Sequence, residues 1–222
     1  MARALVVQHT AHEGLGNLLE WLPAAGLDVH PIHPYLGHRV PPSVEGDALI
    51  VLGGPMGAYD DDDAPWLPAT RALLATAIDD GVPTLGICLG AQLLAVAAGG
   101  EVQRGSDGPE LGLGKVDVVA GDQLLTAGSM PVVQWHYDTV TRMPAGAQLL
   151  ASSDAYQVQA FRVGDVAWGL QFHVEATPGM VADWAREDGV DDSVVDAVRG
   201  ANDALRSAGD EVARRFAHIV IG

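Results

Sequence analysis

The stretch VPTLGICLGAQLLAVAAGG, residues 82–100, joins an apolar run directly to a helical pattern. Its first part, VPTLGI, is typical of a buried strand, and LGAQLLAVAAG is typical of a helix. Cys88, which is the only cysteine of the chain, lies at the junction between Gly86 and Gly90. A strand that turns into a helix through a glycine-flanked cysteine predicts a βα unit with a functional turn.

The residues before this stretch alternate between strand and helix patterns. Residues 3–8, 27–32 and 47–54 are predicted strands, while 14–25 and 66–80 are predicted helices. Almost wholly apolar strands indicate a sheet covered on both faces. The order predicts an α/β fold, flavodoxin-like and doubly wound, with a mostly parallel central sheet and helices on both faces.

The pattern changes from about residue 101, where short strand-like pieces are joined by glycine- and proline-rich turns. We therefore expect a mixed or antiparallel second half of the sheet. Thr177 and Pro178 then suit the start of a helix. The whole chain, residues 1–222, is predicted to form a single domain with a core at about 1–185 and a C-terminal helical segment at 186–222.

Apolar residues recur three or four positions apart over residues 193–220, which predicts one long amphipathic helix. Its apolar stripe is expected to pack on the sheet. A contact with a second copy of the chain, in a homodimer, is the alternative that the pattern leaves open.

Composition narrows the classes of partner. The 222 residues carry a formal net charge of -17, a field that repels phosphate backbones and anionic lipid surfaces, so we expect neither nucleic acid nor membrane as a partner. The N-terminal apolar run is typical of a strand rather than a signal peptide, and a single cysteine excludes an internal disulfide. These features predict a cytoplasmic protein. The acidic loop 59–66 and the histidines of 30–38 lack ligand spacing, so no metal site is predicted.

The turn around Cys88 has the form of a nucleophile elbow, in which small flanking residues allow a strained backbone. A thiol at a helix N-terminus faces unpaired N–H groups and the positive end of the helix dipole, which favour the thiolate. A packed, inert cysteine is the alternative, but it has no need of flanking glycines.

A nucleophile needs a base, and His173 ends an apolar strand two residues before Glu175. Residues two apart in a strand share a face, so we expect the carboxylate to orient the imidazole. This is the arrangement of Cys-His-acid covalent catalysis.

A glycine pair ends the predicted strand at 47–54. Gly53 and Gly54 allow backbone N–H groups to approach a ligand closely, as an oxyanion hole requires. A simple strand-ending turn with Pro55 is the alternative.

Together these elements resemble the class I glutamine amidotransferases of the triad type, most closely the stand-alone proteins similar to the amidotransferase domain of GMP synthase. The motifs that carry the resemblance span most of residues 48–175. They are LGGPMG (52–57), GICLGAQLLA (86–95), PELGLG (109–114), QWHYDTV (134–140) and GLQFHVE (169–175).

The resemblance implies that Cys88 attacks the side-chain amide of glutamine and that a γ-glutamyl thioester forms. His173 would act as base and acid, with Glu175 orienting it. Ammonia would leave, and water would release glutamate. No cofactor is implied.

The family pattern also assigns residues that bind the substrate. It places the oxyanion donors at the backbone N–H groups of Gly54 and Leu89. The residues that it implies to contact the substrate are Gly53, Gln92, His136, Tyr137 and Asp138.

Tyr137 departs from the pattern, which usually has glycine at that position. A bulky side chain there favours a different γ-glutamyl compound, such as a γ-glutamyl peptide or amine. Three functions are therefore weighed: a glutamine-hydrolysing enzyme, alone or supplying ammonia to a separate synthetase; a γ-glutamyl peptidase; and a non-catalytic regulatory binding module.

Overall fold

The computed structural model describes all residues from 1 to 222. The strands are β1 (Ala2–Val7), β2 (Leu27–Ile32), β3 (Ala48–Val51), β4 (Thr84–Ile87), β5 (Glu101–Arg104), β6 (Glu110–Val118), β7 (Gly128–His136), β8 (Asp138–Arg142), β9 (Gln148–Ser152), β10 (Ala160–Val163) and β11 (Ala167–Leu170). The helices are α1 (Leu18–Ala24), α2 (Leu67–Asp79), α3 (Leu89–Ala97), α4 (Pro178–Asp188), α5 (Ser193–Gly200) and α6 (Asn202–Ile221), and a short 3-10 helix covers Pro34–Leu36.

Nine strands form one sheet in the order β2-β1-β3-β4-β11-β10-β9-β6-β7, and β5 pairs with β8 in a separate two-stranded sheet. The strands β2, β1, β3, β4 and β11 are parallel. From β11 through β10, β9 and β6 to β7, each neighbouring pair is antiparallel. This confirms the predicted flavodoxin-like parallel half with an antiparallel second half.

Alternating residues of β1 show why helices cover both faces of the sheet. Ala4 and Val6 pack in the cluster that contains apolar residues of α1 and α6. Leu5 and Val7 pack in a second cluster with residues of α2 and α3. Because every side chain of this stretch is buried, the strand needs an apolar layer on each side.

The C-terminal segment differs from the predicted single helix. The helix breaks at Ala201, since α5 ends at Gly200 and α6 begins at Asn202. Glycine is a weak helix former, and the break lets the two halves bury their apolar residues against different surfaces. Val198 of α5 packs with Trp184 of α4, whereas Phe216 of α6 packs in the cluster of α1. The predicted packing on the sheet holds for α6, which contacts β2 and β7.

Two further boundaries were predicted wrongly. The first helix begins at Leu18 rather than near Gly14. The strand that was expected to carry His173 ends at Leu170, because the chain then bends towards β7, where the His173 N–H donates to Val133 O at 2.9 Å. None of the helices is both long and apolar enough to cross a lipid bilayer.

Candidate active site

Four neighbouring parallel strands end at one edge of the sheet. The segments that follow β1, β3, β4 and β11 carry Glu13, Gly54, Cys88 and His173 respectively. Open α/β sheets bind ligands outside the carboxyl ends of their strands, near the point where the strand order reverses. In this sheet the chain order reverses at β1 and β3, so the fold itself directs a site to this edge.

Cys88 lies on a strained turn between β4 and α3. With φ 51° and ψ -109°, it is the one non-glycine residue with a positive φ. Both flanking positions require glycine for steric reasons. A Cβ at Gly86 would lie 2.6 Å from the carbonyl carbon of Gly90, and a Cβ at Gly90 would collide with the backbone of Val51. The turn therefore has the tight geometry of an elbow.

The thiol of Cys88 has polar neighbours. Sγ lies 3.7 Å from Trp135 O, and the Gln171 side-chain amide donates to Sγ, also at 3.7 Å. The sulfur stands at the N-terminus of α3, where the first N–H groups of the helix have no partner within it. The amide donor and the helix N-terminus both place partial positive charge near the sulfur.

His173 and Glu175 form a buried pair. The imidazole Nδ1 donates to Glu175 Oε1 at 2.6 Å, and the two residues are only 3% and 1% exposed. Burial acts to lower the pKa of His173, but the Glu175 carboxylate and Cys88 outweigh burial and hold that pKa well above its ordinary value. The other ring nitrogen, Nε2, has no hydrogen-bond partner. The Trp184 ring packs on the imidazole with 4.7 Å between centroids, which fixes its plane.

The two predicted oxyanion donors lie close together. A Cβ at Gly54 would lie 2.9 Å from Leu89 Cδ2, so the loop after β3 rests directly on the start of α3. Leu89 is the first residue of α3, and its N–H has no partner within the helix. Gly54 and Leu89 thus follow the ends of the adjacent strands β3 and β4 and lie next to each other.

A cavity of about 290 Å³ opens at Cys88. This volume lies at the lower end for ligand pockets and suits a small molecule. Six of the predicted site residues line it: Gly54, Cys88, Gln92, His136, Tyr137 and Asp138. The other four do not: Gly53, Leu89, His173 and Glu175 are buried and do not line this cavity.

Gln92 and His136 differ in how free they are to meet a ligand. The Gln92 amide nitrogen donates to Asp138 O at 3.0 Å and to Gln171 Oε1 at 3.2 Å, which uses both of its hydrogens. Its Oε1 remains as an acceptor. His136 uses both ring nitrogens within the chain, on Asp138 O and Glu110 Oε2. Gln92 can therefore accept a bond from a ligand, whereas His136 supports the wall.

Tyr137 links two parts of the cavity rim. Its hydroxyl donates to Asp188 Oδ2 at 3.0 Å, and the Arg104 guanidinium lies 4.4 Å from its ring centroid. Trp135 donates to the same carboxylate oxygen. The turn between β7 and β8 is thereby joined to the end of α4, and the side chain of Tyr137 occupies space that glycine would leave open.

Sequence reasoning missed two residues on the loop that follows β1. Burial raises the pKa of the Glu13 carboxyl to about 7, and burial lowers the pKa of His9 to about 4. Trp66 donates to His9 Nδ1 at 2.9 Å, and Glu13 lines the cavity. No local motif marks either residue. The available signal is their place just after a strand at the reversal point of the sheet.

Comparisons with known proteins agree with this geometry. Residues 24–184 match the family model described as glutamine amidotransferase class-I. One of the subunits of a glutamine-hydrolyzing GMP synthase, from Sulfolobus acidocaldarius, is 38% identical over 135 residues, which cover 59% of this chain and 68% of that protein. Gamma-glutamyl peptidase 5 from Arabidopsis thaliana is 33% identical over 137 residues, covering 58% of this chain. The chain spans about half the length of this plant relative, 53%.

A solved structure of a glutamine amidotransferase from Thermotoga maritima superimposes with a TM-score of 0.87 at 27% identity, covering 97% of this chain and 98% of that one. A second, from Methylobacillus flagellatus, has a TM-score of 0.85 at 28% identity and covers 97% and 94%. The whole fold, including both halves of the sheet, is therefore shared with these structures.

Proposed function

The chain belongs to the class-I glutamine amidotransferase family, and on this premise we propose that Cys88, His173 and Glu175 hydrolyse the side-chain amide of glutamine. The observation that carries the proposal is the strained Cys88 turn beside a buried His173–Glu175 pair whose Nε2 is unpartnered. An inert cysteine would need neither the positive φ nor the buried imidazole.

The proposed reaction begins when the Cys88 thiol gives its proton to His173 Nε2 and the sulfur attacks the amide carbon. The negative charge that develops on the amide oxygen is stabilised by the N–H groups of Gly54 and Leu89. The C–N bond then breaks, the imidazolium of His173 gives its proton to the departing nitrogen, and ammonia leaves a γ-glutamyl thioester.

Water completes the cycle. His173 Nε2 takes a proton from the water molecule that attacks the thioester carbonyl, the C–S bond breaks, and glutamate is released with the thiol restored. Glu175 keeps the Nδ1 hydrogen in place, so that Nε2 is the nitrogen that exchanges protons. Gln92 Oε1 is proposed to accept from the ammonium group of the substrate.

The test is ammonia release from glutamine. We expect Cys88→Ala to lose about a thousandfold or more of the wild-type rate, because the nucleophile is gone. Glu175→Gln is expected to lose about a hundredfold, since it keeps the shape but not the charge that supports the imidazolium. Glu45→Gln, an isosteric change at an exposed residue, serves as the control and should retain the full rate.

A wild-type protein that releases no ammonia from glutamine, and no product from any γ-glutamyl amide, would contradict the proposed function. The assay should be run with and without a candidate synthetase. The similarity to one of the subunits of a GMP synthase supports a separate synthetase as the acceptor of ammonia.

A second function, hydrolysis of γ-glutamyl peptides or amines, is favoured by two observations. Tyr137 narrows the rim where the family pattern has glycine, and a relative of 33% identity is named a gamma-glutamyl peptidase. The same thioester chemistry would apply, with an amine leaving in place of ammonia. Rates on glutamine and on a γ-glutamyl dipeptide, measured side by side, separate the two functions.

A further inference from the structure

The cavity beside Cys88 is strongly acidic. Five carboxylates line it, from Glu13, Asp60, Asp138, Glu187 and Asp188, and one guanidinium, from Arg104. Such a wall attracts cations and repels anions over several ångströms. A substrate that binds here must place a positively charged or neutral group against these carboxylates.

Most of these carboxylates already have partners. Asp60 accepts from the Gly57 N–H at 2.6 Å, and Arg104 lies 3.9 Å from Asp138. Asp188 accepts from Trp135 and Tyr137. These three carboxylates interact with other groups of the chain and form part of the cavity wall.

Glu13 is different, because no hydrogen bond or ion pair from the chain reaches its carboxylate. Burial is the first cause of its raised pKa, and the negative charges of Glu175, Glu187 and Asp188 act in the same direction against the positive charge of His173. Glu13 is half-buried, and a half-buried carboxylate without a partner in the chain is stabilised when a cation binds beside it. The cavity thus contains one acid that the rest of the chain does not pair.

The position of Glu13 identifies the part of the substrate that it meets. A Cβ placed on Gly53 would touch the Glu13 carboxylate and lie 3.2 Å from His173 Cε1. Glu13 and His173 therefore both lie against the same glycine. Because His173 gives its proton to the leaving nitrogen, the leaving group occupies the space next to His173.

The amino acid end of the substrate is assigned to other elements. Gln92 of α3 and the backbone of Asp138 are joined to each other by a hydrogen bond of 3.0 Å, and Gln92 Oε1 is free to accept from an ammonium group. The loop that carries Glu13 is therefore the element that remains to contact the leaving group.

We propose that the enzyme hydrolyses γ-glutamyl amides whose leaving amine carries a second, positively charged amino group, and that Glu13 binds this group. This inference rests on the hydrolytic function proposed above and names its substrate class. The C–N bond of the amide breaks, the leaving nitrogen takes a proton from His173, and the diamine departs with its ammonium group intact. Glu187, whose only ionic neighbour is His12 at 3.8 Å, adds negative charge along the exit.

The test uses three probes that share the γ-glutamyl half and differ only in the charge of the leaving group: the γ-glutamyl amides of ethylenediamine, propylamine and glycine. We expect kcat/KM of the wild type to fall in that order, with the cationic probe about tenfold or more above the neutral one, as a charge-assisted hydrogen bond implies. Glutamine is measured in parallel.

Glu13→Gln removes the charge and keeps the shape, and we expect it to reduce the preference for the cationic over the neutral probe to within about twofold. Glu13→Asp, which keeps the charge on a shorter side chain, should restore part of the preference. Glu45→Gln is the matched control and should keep the full preference.

Each outcome has a defined meaning. If the wild type hydrolyses the three probes equally, or if Glu13→Gln keeps the preference, the inference is overturned while the hydrolytic function stands. If Glu13 instead contacts the ammonium of the γ-glutamyl half, all rates change together and the preference is unaltered, which also overturns it. If nothing is hydrolysed, glutamine included, the proposed function fails first and the inference with it.

Discussion

At the scale of single residues, Cys88 combines a reactive atom with an unfavourable backbone. Its φ of 51° with ψ of -109° suits glycine, and any residue with a Cβ is strained there by about 1–3 kcal/mol. The position keeps a side chain nonetheless. The strained conformation at the junction of β4 and α3 directs the sulfur into the cavity. The protein therefore keeps a backbone conformation that lowers its stability because that conformation orients the thiol.

This strain can be measured with two substitutions. We expect Cys88→Gly to be more stable than Cys88→Ala by about 1 kcal/mol in urea-induced unfolding, because only alanine retains the strained Cβ. The control is Ala72→Gly on the exposed face of α2, where glycine should lose about 1 kcal/mol instead. If glycine is less stable than alanine at position 88 by as much as it is at position 72, the Cys88 turn stores no strain.

At the scale of elements, the start of α3 is pressed against the end of β3. Gly90 has no room for a side chain, because the Val51 carbonyl occupies the place of its Cβ. Leu89, the first residue of α3, contacts Gly54 through its side chain in the same region. The proposed oxyanion donors at Gly54 and Leu89 therefore depend on a helix-to-strand contact as well as on their own loop.

Gly90→Ala tests this contact. The added methyl group must push α3 away from β3, so we expect a loss of about 2 kcal/mol or more in the free energy of unfolding and a large loss of hydrolytic rate. Gly200→Ala is the control, since nothing lies within 4 Å of its Cβ and its φ is not positive. It should be neutral or slightly stabilising. A Gly90→Ala variant as active as the wild type would mean that α3 can shift without disturbing the donors.

Elements with a strong pattern were predictable, and those that depend on distant contacts were not. The strands β1 to β4 follow apolar runs. Helix α4 begins at Pro178 after the expected N-cap Thr177, whose hydroxyl accepts from the Met180 N–H at 3.2 Å. The strand β8 was not predicted, because it follows β7 after Tyr137 alone and no glycine or proline marks the turn. Glu13 was missed since its surroundings come from other parts of the chain.

At the scale of the whole molecule, two groups whose pKa values are shifted by burial respond to pH in opposite directions. Glu13 has a pKa of about 7 against an ordinary 4.5, so the native state holds its proton longer than the unfolded state, and stability falls as pH rises between these values. His9 has a pKa of about 4 against 6.5, so its contribution rises with pH across almost the same window. The two contributions largely cancel in the wild type.

Glu13→Gln removes one of the opposing contributions. Relative to the wild type, we expect the variant to gain about 2 kcal/mol in the free energy of unfolding between about pH 5 and about pH 7, because the His9 contribution is no longer offset. Urea unfolding at the two pH values measures this gain, and Glu45→Gln controls for the loss of one negative charge. A pH-independent difference between Glu13→Gln and wild type would show that the Glu13 carboxyl titrates normally.

The place of β11 in the sheet has a consequence for how the protein is made. This late segment inserts between β4 and β10, pairing Ala167 with Thr84, and the Cys88 N–H donates to the Leu170 carbonyl at 2.8 Å. Contacts between such distant segments form slowly, because a long loop must close first. During synthesis Cys88 emerges well before His173, so a nascent chain that ends after α3 holds the proposed nucleophile without the proposed base. The proposed hydrolysis can begin only when the sheet is closed at its centre, so the order of assembly would keep an incomplete chain inactive.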